Sequence, residues 1–375
     1  MRIENVESIV VEGAHYVRIR TDDGTSGLGQ SAAWAYPEAV HAIVETFTRH
    51  LVGKDPLRIE HHWQHLYRMG PFRGSILGGA LSAVDIALWD IKGKHLQAPI
   101  WELLGGRYRD RVRLYLLIAG NSVDDLAAVA AQAVADGFTA VKLDPLPAGF
   151  QDMSLPRLHA TVSERLMAAR ETVGLDVDLI IELHRKLTPL QFSTVAPALE
   201  QVQPLFVEDP IQIDSIAAQA ALARRWNLPI GNGERLHTIW EFNELLAAGG
   251  TQFVRPDLGL AGGLSQCKKI AAVAEAYHAP VCTHNFLGPV LTAASIHLDI
   301  AIPNFVAQEY GRVDEGPVAE AFSGVLKRDG GYMPVPEVPG LGLTLDESKL
   351  ISIWPQGWDL TQGTHRSDGS VAFAP

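Results

Sequence analysis

The chain has 375 residues, with 31 Lys+Arg against 43 Asp+Glu and a formal net charge of −12; 47% of residues are hydrophobic and 20% charged. This is a globular composition, long enough for two domains or for one large α/β barrel with an attached piece, and its acidic balance argues against a nucleic-acid partner. Two cysteines, Cys267 and Cys282, make neither a disulfide framework nor a four-cysteine zinc site, and no signal segment or membrane span is read, so the expectation is a cytoplasmic protein without membrane partners.

The first hundred or so residues read as α+β. Ile3 to Glu12 and Tyr16 to Arg20 carry strand-forming residues, and Asp22-Asp23-Gly24 is a hairpin turn signal. Helices follow from Pro37 to Leu51, with Val40, Ile43, Val44 and Phe47 on one face, from about Pro56 to Met69, and from Ile76 to Lys94, the last apolar enough to be buried. From Val112 onward, short apolar runs alternate with helical patterns. The runs are Val112–Ile118, Ala140–Asp144, Leu179–His184, Leu205–Asp209, Pro229–Glu234, Phe253–Asp257, Pro280–His284 and Phe305–Glu309. Helices lie between them, for example Val123–Ala135 behind a Ser122 N-cap and Leu264–Tyr277. Eight apolar strands separated by helices predict a closed parallel barrel. The expected division is an α+β domain over 1–110, a (β/α) barrel over 111–330, and a Pro- and Gly-rich segment over 331–375 that packs back on the first domain.

In such barrels the chemistry sits at the C-terminal ends of the strands. The runs from the second to the eighth end in ionisable residues: Lys142 and Asp144, Glu182 and His184, Glu208, Glu234, Asp257, His284 and Glu309. Glu182, Glu208 and Glu234 recur at an equal interval of 26 residues, which puts three carboxylates at one height on adjacent strands. A single strand-end Glu is better explained by helix capping or by pairing with an Arg such as Arg235. Three in register would repel one another, and a divalent cation resolves the conflict; all-oxygen ligation favours Mg²⁺. Asp257 neighbours His284 and would raise its proton affinity, which suits a general base. His184 lies two residues after Glu182, so a regular strand would turn both to the same face. A metal-held carboxylate, one His removing an α-proton and a second protonating a β-hydroxyl compose a β-elimination site.

These residues resemble the enolase superfamily, specifically the mandelate racemase-like acid-sugar dehydratases. The likeness rests on Ser82-Ala83-Val84-Asp85-Ile86-Ala87-Leu88-Trp89-Asp90-Ile91-Lys92-Gly93-Lys94, Glu182-Leu183-His184, Phe206-Val207-Glu208-Asp209-Pro210, Gly233-Glu234-Arg235, Arg255-Pro256-Asp257 with Ala261-Gly262-Gly263, Thr283-His284-Asn285 with Leu287-Gly288-Pro289, and Gln308-Glu309. It covers nearly the whole chain. It implies an α+β capping domain, a modified (β/α)7β barrel and one Mg²⁺ per subunit on Glu182, Glu208 and Glu234. It also implies a homo-oligomer that dehydrates an aldonate such as galactonate, gluconate or mannonate to a 2-keto-3-deoxy acid. The alternative is a cycloisomerase or epimerase of an acid sugar, lactone or anhydro-sugar acid that uses the same enediolate chemistry.

Lys142-Leu143-Asp144 stands where racemase-type members carry Lys-x-Lys, so their lysine base is missing. The Asp257–His284 pair matches the galactonate type. His184-Arg185-Lys186-Leu187-Thr188-Pro189 and Asp368-Gly369 look more like the mannonate group. Glu182 occupies a position where these dehydratases usually have Asp. Expected roles are His284 as base, His184 as acid, and Lys142, Asp144, Glu309, Arg73, Tyr16 and Trp34 at the substrate, with Phe72 as a further lid candidate. Three other signals are read as structural: His61 and His65 as a solvated helix face, Gly259, Gly262 and Gly263 as a tight turn, and Cys282 as a small apolar filler.

Overall fold

The structure, a computed structural model, describes residues 1–351 and 365–372. Parts of the expected C-terminal segment, 352–364 and 373–375, lie outside the described residues. The chain divides into two compact units. One comprises Met1–Arg113, Glu234–Phe242 and the described residues from Pro256 to Ile351; the other comprises Leu114–Gly233, Asn243–Arg255 and 365–372.

The first unit begins with an antiparallel sheet of β1 (Ile3–Val11), β2 (Ala14–Thr21) and β3 (Ser26–Ser31), in that order. The Asp22-Asp23-Gly24 turn closes the second hairpin: Gly24 takes φ +86°, and the Asp23 carboxylate accepts the Thr25 N–H at 3.1 Å. Three helices follow. α1 (Pro37–Leu51) starts on a proline and buries Val40, Val44, Phe47 and Leu51; α2 (Ile59–Arg68) buries Trp63 and Leu66; α3 (Ser75–Leu96) is buried on nearly every side. α3 lies directly on β3 because β3 supplies glycines. A Cβ on Gly27 would stand 2.0 Å from the Ala87 carbonyl oxygen, and one on Gly29 1.9 Å from that of Ala83, so no side chain fits at either position.

After the short α4 (Ile100–Leu103) the α/β alternation begins. In chain order come β4 (Arg111–Ile118), α5 (Val123–Ala135), β5 (Ala140–Leu143), α6 (Leu155–Val173), β6 (Asp178–Glu182), α7 (Pro189–Gln201), β7 (Phe206–Glu208), α8 (Ile216–Arg225), β8 (Ile230–Asn232), α9 (Ile239–Ala247), β9 (Phe253–Val254), α10 (Gly263–Ala276), α11 (Pro289–Ala301) and β10 (Gln308–Tyr310). α5 carries the expected Ser122 cap as a full capping box with Asp125. In the second unit the parallel strands lie in the order β4-β5-β6-β7-β8-β9. Parallel bridges Asp257↔His284 and Val281↔Phe305 stand where the remaining strand was expected. The fold is therefore a (β/α)-barrel sheet with an N-terminal α+β capping domain. The tail continues with α12 (Gly316–Glu320), β11 (Phe322–Ser323), β12 (Tyr332–Pro334) and β13 (Thr344–Leu345); β12 pairs antiparallel with β4.

Strand lengths correct the sequence reading. β6 stops at Glu182 rather than reaching His184, and Pro280–His284 forms bridges rather than a named strand. Beyond Glu182 the backbone turns left-handed, with φ +48° at His184 and +63° at Arg185. Regular strand alternation therefore does not orient His184, because the residue lies outside the strand.

Two buried aspartates of the motif on α3 tie the first unit together. Asp90 accepts the N–H groups of Leu28 at 3.0 Å and of Leu341 at 2.8 Å, joining β3 and the tail to α3, and Lys94 neutralises it at 2.7 Å. Ser82 accepts the N–H groups of Gly262 and Gly263, and Asp85 accepts that of Ser265 at 3.0 Å, so α3 caps the otherwise orphaned donors that open α10. Burial pushes the Asp85 carboxyl from its ordinary 3.8 up to about 7, against the Ser265 bond that favours the anion. A raised carboxyl pKa means that the folded chain holds a proton the unfolded chain has lost, so stability falls as pH rises from about 4 to about 7. Asp85→Asn keeps the acceptor and removes the ionisation. Urea unfolding across that window should then lose a pH slope on the order of a few kcal/mol; an unchanged slope would show that Asp85 does not hold the proton.

Candidate active site

Glu182, Glu208 and Glu234 are 0%, 0% and 3% exposed. Each offers a carboxylate oxygen, Glu182 and Glu208 in the second unit and Glu234 in the first. Parallel register accounts for the first two: Glu182 and Glu208 are directly paired at the ends of β6 and β7, so their side chains share a face. The two paired, buried carboxylates of Glu182 and Glu208 repel strongly unless cations offset them. In the second unit, Lys142 Nζ, 2% exposed, donates to Glu182 Oε2 at 2.9 Å and to Glu208 Oε2 at 3.1 Å. Arg255, fully buried, donates from Nε to Glu208 Oε1 at 2.6 Å and from Nη1 to the Tyr115 hydroxyl. In the first unit, Arg235 Nε lies 3.2 Å from Glu234 Oε1. An oxygen-only, buried and anionic donor set of this kind fits a hard divalent cation.

Each histidine is held by an aspartate of its own unit. His284 is 6% exposed; its Nδ1 lies 2.6 Å from Asp257 Oδ2, while Nε2 faces Glu234 Oε2 at 3.4 Å and Glu309 Oε2 at 3.7 Å. Burial alone would lower its pKa, but Glu234, Glu309 and Asp257 outweigh that and raise its proton affinity. Glu309 is fixed in turn by the Asn285 N–H at 3.2 Å. His184 is more open. Its Nδ1 lies 3.2 Å from Asp144 Oδ2, its Nε2 3.9 Å from Glu182 Oε2, and its N–H donates to Glu182 Oε1 at 2.8 Å. Asp144 also binds Lys186 Nζ at 2.8 Å; burial opposes its charge, yet His184 and Lys186 hold the carboxyl below its ordinary value. The structure thus brings Lys142, Asp144, Glu182, His184 and Glu208 together in one unit, and Glu234, Asp257, His284 and Glu309 in the other.

The capping-domain candidates divide. Tyr16 is fully buried against Phe322, its hydroxyl without a hydrogen-bond partner among the described residues. Trp34 is half-buried, with the Arg235 guanidinium 5.8 Å from its ring centre. Arg73 is exposed, donates to the carbonyls of Gly70 and Phe72, and sits 4.1 Å over the Tyr67 ring; Phe72 is 84% exposed. Neither cysteine is accessible. His61 and His65 are both exposed, as expected of a solvated helix face, and His65 stacks on His50 with ring centres 3.7 Å apart.

Sequence reasoning missed Arg255, Lys186 and the buried Arg185–Asp209 ion pair. Arg255 was visible in Arg255-Pro256-Asp257, but a lone cation after an apolar run gives no sign that it turns inward. Lys186 and Arg185 follow the end of β6, where strand alternation no longer predicts direction.

Two family profiles match the chain: "Mandelate racemase / muconate lactonizing enzyme, N-terminal domain" over 7–105 and "Enolase C-terminal domain-like" over 125–349. The chain belongs to the mandelate racemase/muconate lactonizing enzyme family of the enolase superfamily. It is 35% identical over 369 residues to a D-galactonate dehydratase of Variovorax paradoxus and 36% identical over 368 residues to one of Ralstonia nicotianae, with 95% of each chain covered in both pairs. A crystal structure of an enolase from Agrobacterium radiobacter, bound to Na and L-malate, superposes over 100% of both chains with TM-score 0.91 at 28% identity.

Two outcomes test this electrostatic arrangement. Lys142→Met removes the cation shared by two buried carboxylates and should destabilise the chelator-treated enzyme by about 3–5 kcal/mol in urea unfolding; a loss near zero would mean that Lys142 does not carry this charge balance. Asp257→Asn should lower the titration midpoint of His284, read from its imidazole resonances by NMR in metal-free protein. A midpoint that stays in place would rule out Asp257 as a source of the raised affinity.

Proposed function

We propose that this member of the enolase superfamily is a carbon–oxygen lyase that removes water from an aldonic acid to give a 2-keto-3-deoxy acid. The observation that carries the reading is His284, whose Nε2 lies 3.4 Å from Glu234 and whose Nδ1 is backed by Asp257 at 2.6 Å in the first unit; the paired buried carboxylates Glu182 and Glu208 of the second unit support it. The D-galactonate dehydratases among its relatives support the same reaction class.

Glu182, Glu208 and Glu234 would hold one Mg²⁺, whose charge favours development of negative charge on the substrate carboxylate. His284 Nε2 takes the proton from C2, and Asp257 stabilises the resulting imidazolium through Nδ1. The enediolate expels the C3 hydroxyl, to which His184 gives a proton, and water departs. The remaining enol takes up a proton at C3 to become the keto acid. Asp144 and Lys186 orient and poise His184 rather than hold substrate, a change from the expectation for Asp144, because both are already bound to each other beside the ring. Lys142 serves chiefly to make the buried carboxylates tolerable, and Glu309 remains at the substrate side of His284.

Incubation of the Mg²⁺-loaded enzyme with a panel of aldonates, followed by mass spectrometry, should find at least one acid that loses a single water. His284→Asn should lower kcat for it by about 10³-fold. Failure of every aldonate to lose water would overturn the assignment.

A further inference from the structure

A second set of reactive groups lies within the first unit and shares no residue with the carboxylate cluster. Ser75 opens α3, and its Oγ lies 2.9 Å from His237 Nε2; His237 Nδ1 lies 3.5 Å from Glu241 Oε1. Glu241 is fixed by local sequence, because Thr238-Ile239-Trp240-Glu241 has capping-box spacing at the start of α9. The Glu241 N–H donates to Thr238 Oγ1 at 3.3 Å, and Glu241 Oε2 accepts from Thr238 Oγ1 at 3.1 Å and from the His237 N–H at 2.8 Å. That leaves Oε1 for the imidazole. Burial opposes the charge, but these donors hold the Glu241 carboxyl below its ordinary value, so it faces His237 as an anion. An anion at Nδ1 draws the ring proton there and leaves the Nε2 lone pair to accept from the Ser75 hydroxyl.

The surroundings suit an acyl group. Gly74 and Leu77, close to Ser75 in the chain, line a cavity of about 300 Å³ together with His237 and Glu241, and Trp63 and Leu81 give it apolar walls. Gly74 precedes the helix at φ +122° and supplies no side-chain cap, so the N–H groups of Ile76 and Leu77 stand at the positive end of a 22-residue helix, beside the serine.

We propose that Ser75, His237 and Glu241 form a second, metal-independent catalytic site that hydrolyses esters of short apolar acids. Ser75 Oγ bonds to the ester carbonyl carbon as its proton passes to His237 Nε2, and the first-turn N–H groups of α3 receive the oxyanion. The carbon–alkoxy bond breaks, and the alcohol leaves with the proton from His237. Water then gives a proton to His237, its oxygen bonds to the acyl carbon, the bond to Oγ breaks and Ser75 recovers its proton. The sum is ester plus water to acid plus alcohol.

The test uses the full-length enzyme with p-nitrophenyl butyrate, with and without chelator. Wild type should turn over repeatedly and at the same rate in chelator, which removes aldonate dehydration. Ser75→Ala should lower kcat/KM for the ester by about 10³-fold and leave aldonate turnover intact. A fluorophosphonate probe should add to Ser75, located by peptide mass spectrometry, in wild type and not in the variant. A Ser75→Ala loss below tenfold, a label on another residue, or no label at all would each overturn the proposal and leave these hydrogen bonds as a pin on the start of α3.

Discussion

Burying several carboxylates in one place is the constraint around which the rest of this site is built. A buried anion is costly unless it is paired and hydrogen-bonded, and the directly paired Glu182 and Glu208 would be intolerable alone. The chain meets the cost with side chains that carry little information in isolation. Lys142 divides its donors between Glu182 and Glu208, Arg255 gives Glu208 a second donor, and Arg235 lies beside Glu234. Lys142 and Arg255 are buried because they serve buried partners; the apolar sheet around them would otherwise reject both.

The same balance shapes the histidines. His284 is enclosed and surrounded by Asp257, Glu234 and Glu309, so its proton affinity rises despite burial. His184 is less enclosed and faces Asp144, whose charge Lys186 shares. The two imidazoles therefore sit in different environments, His284 enclosed and strongly backed, His184 more open.

Backbone strain concentrates at the same strand ends. His184, Arg185 and Asp209 all adopt φ between +41° and +63°, a region unfavourable for residues with a Cβ. Their conformations are stabilised where the Arg185 N–H donates to the Asp209 carbonyl at 2.7 Å and the two side chains form a buried ion pair. The clamp follows Glu182 and Glu208 directly, so it sets the direction in which the chain leaves both carboxylates.

The alternation of apolar runs and amphipathic helices, the α1 face, the Ser122 cap and the equal interval between the three glutamates were legible in the sequence because each depends on local periodicity or spacing. So was the pairing of Asp257 with His284, since neighbouring strands bring their ends together. What the chain does beyond a strand end was not legible. His184 leaves the strand in a left-handed turn, and Arg255, Lys186 and the Arg185–Asp209 pair take their places from contacts between segments far apart in sequence. Ser75, His237 and Glu241 likewise meet only because tertiary packing joins the start of α3 to the start of α9. The amino-acid sequence by itself determined which groups could carry chemistry and their order around the sheet, because periodicity is a short-range property. Only the tertiary structure decided which charges are neutralised, and by what, because electrostatic partners are chosen by distance in space rather than by position along the chain.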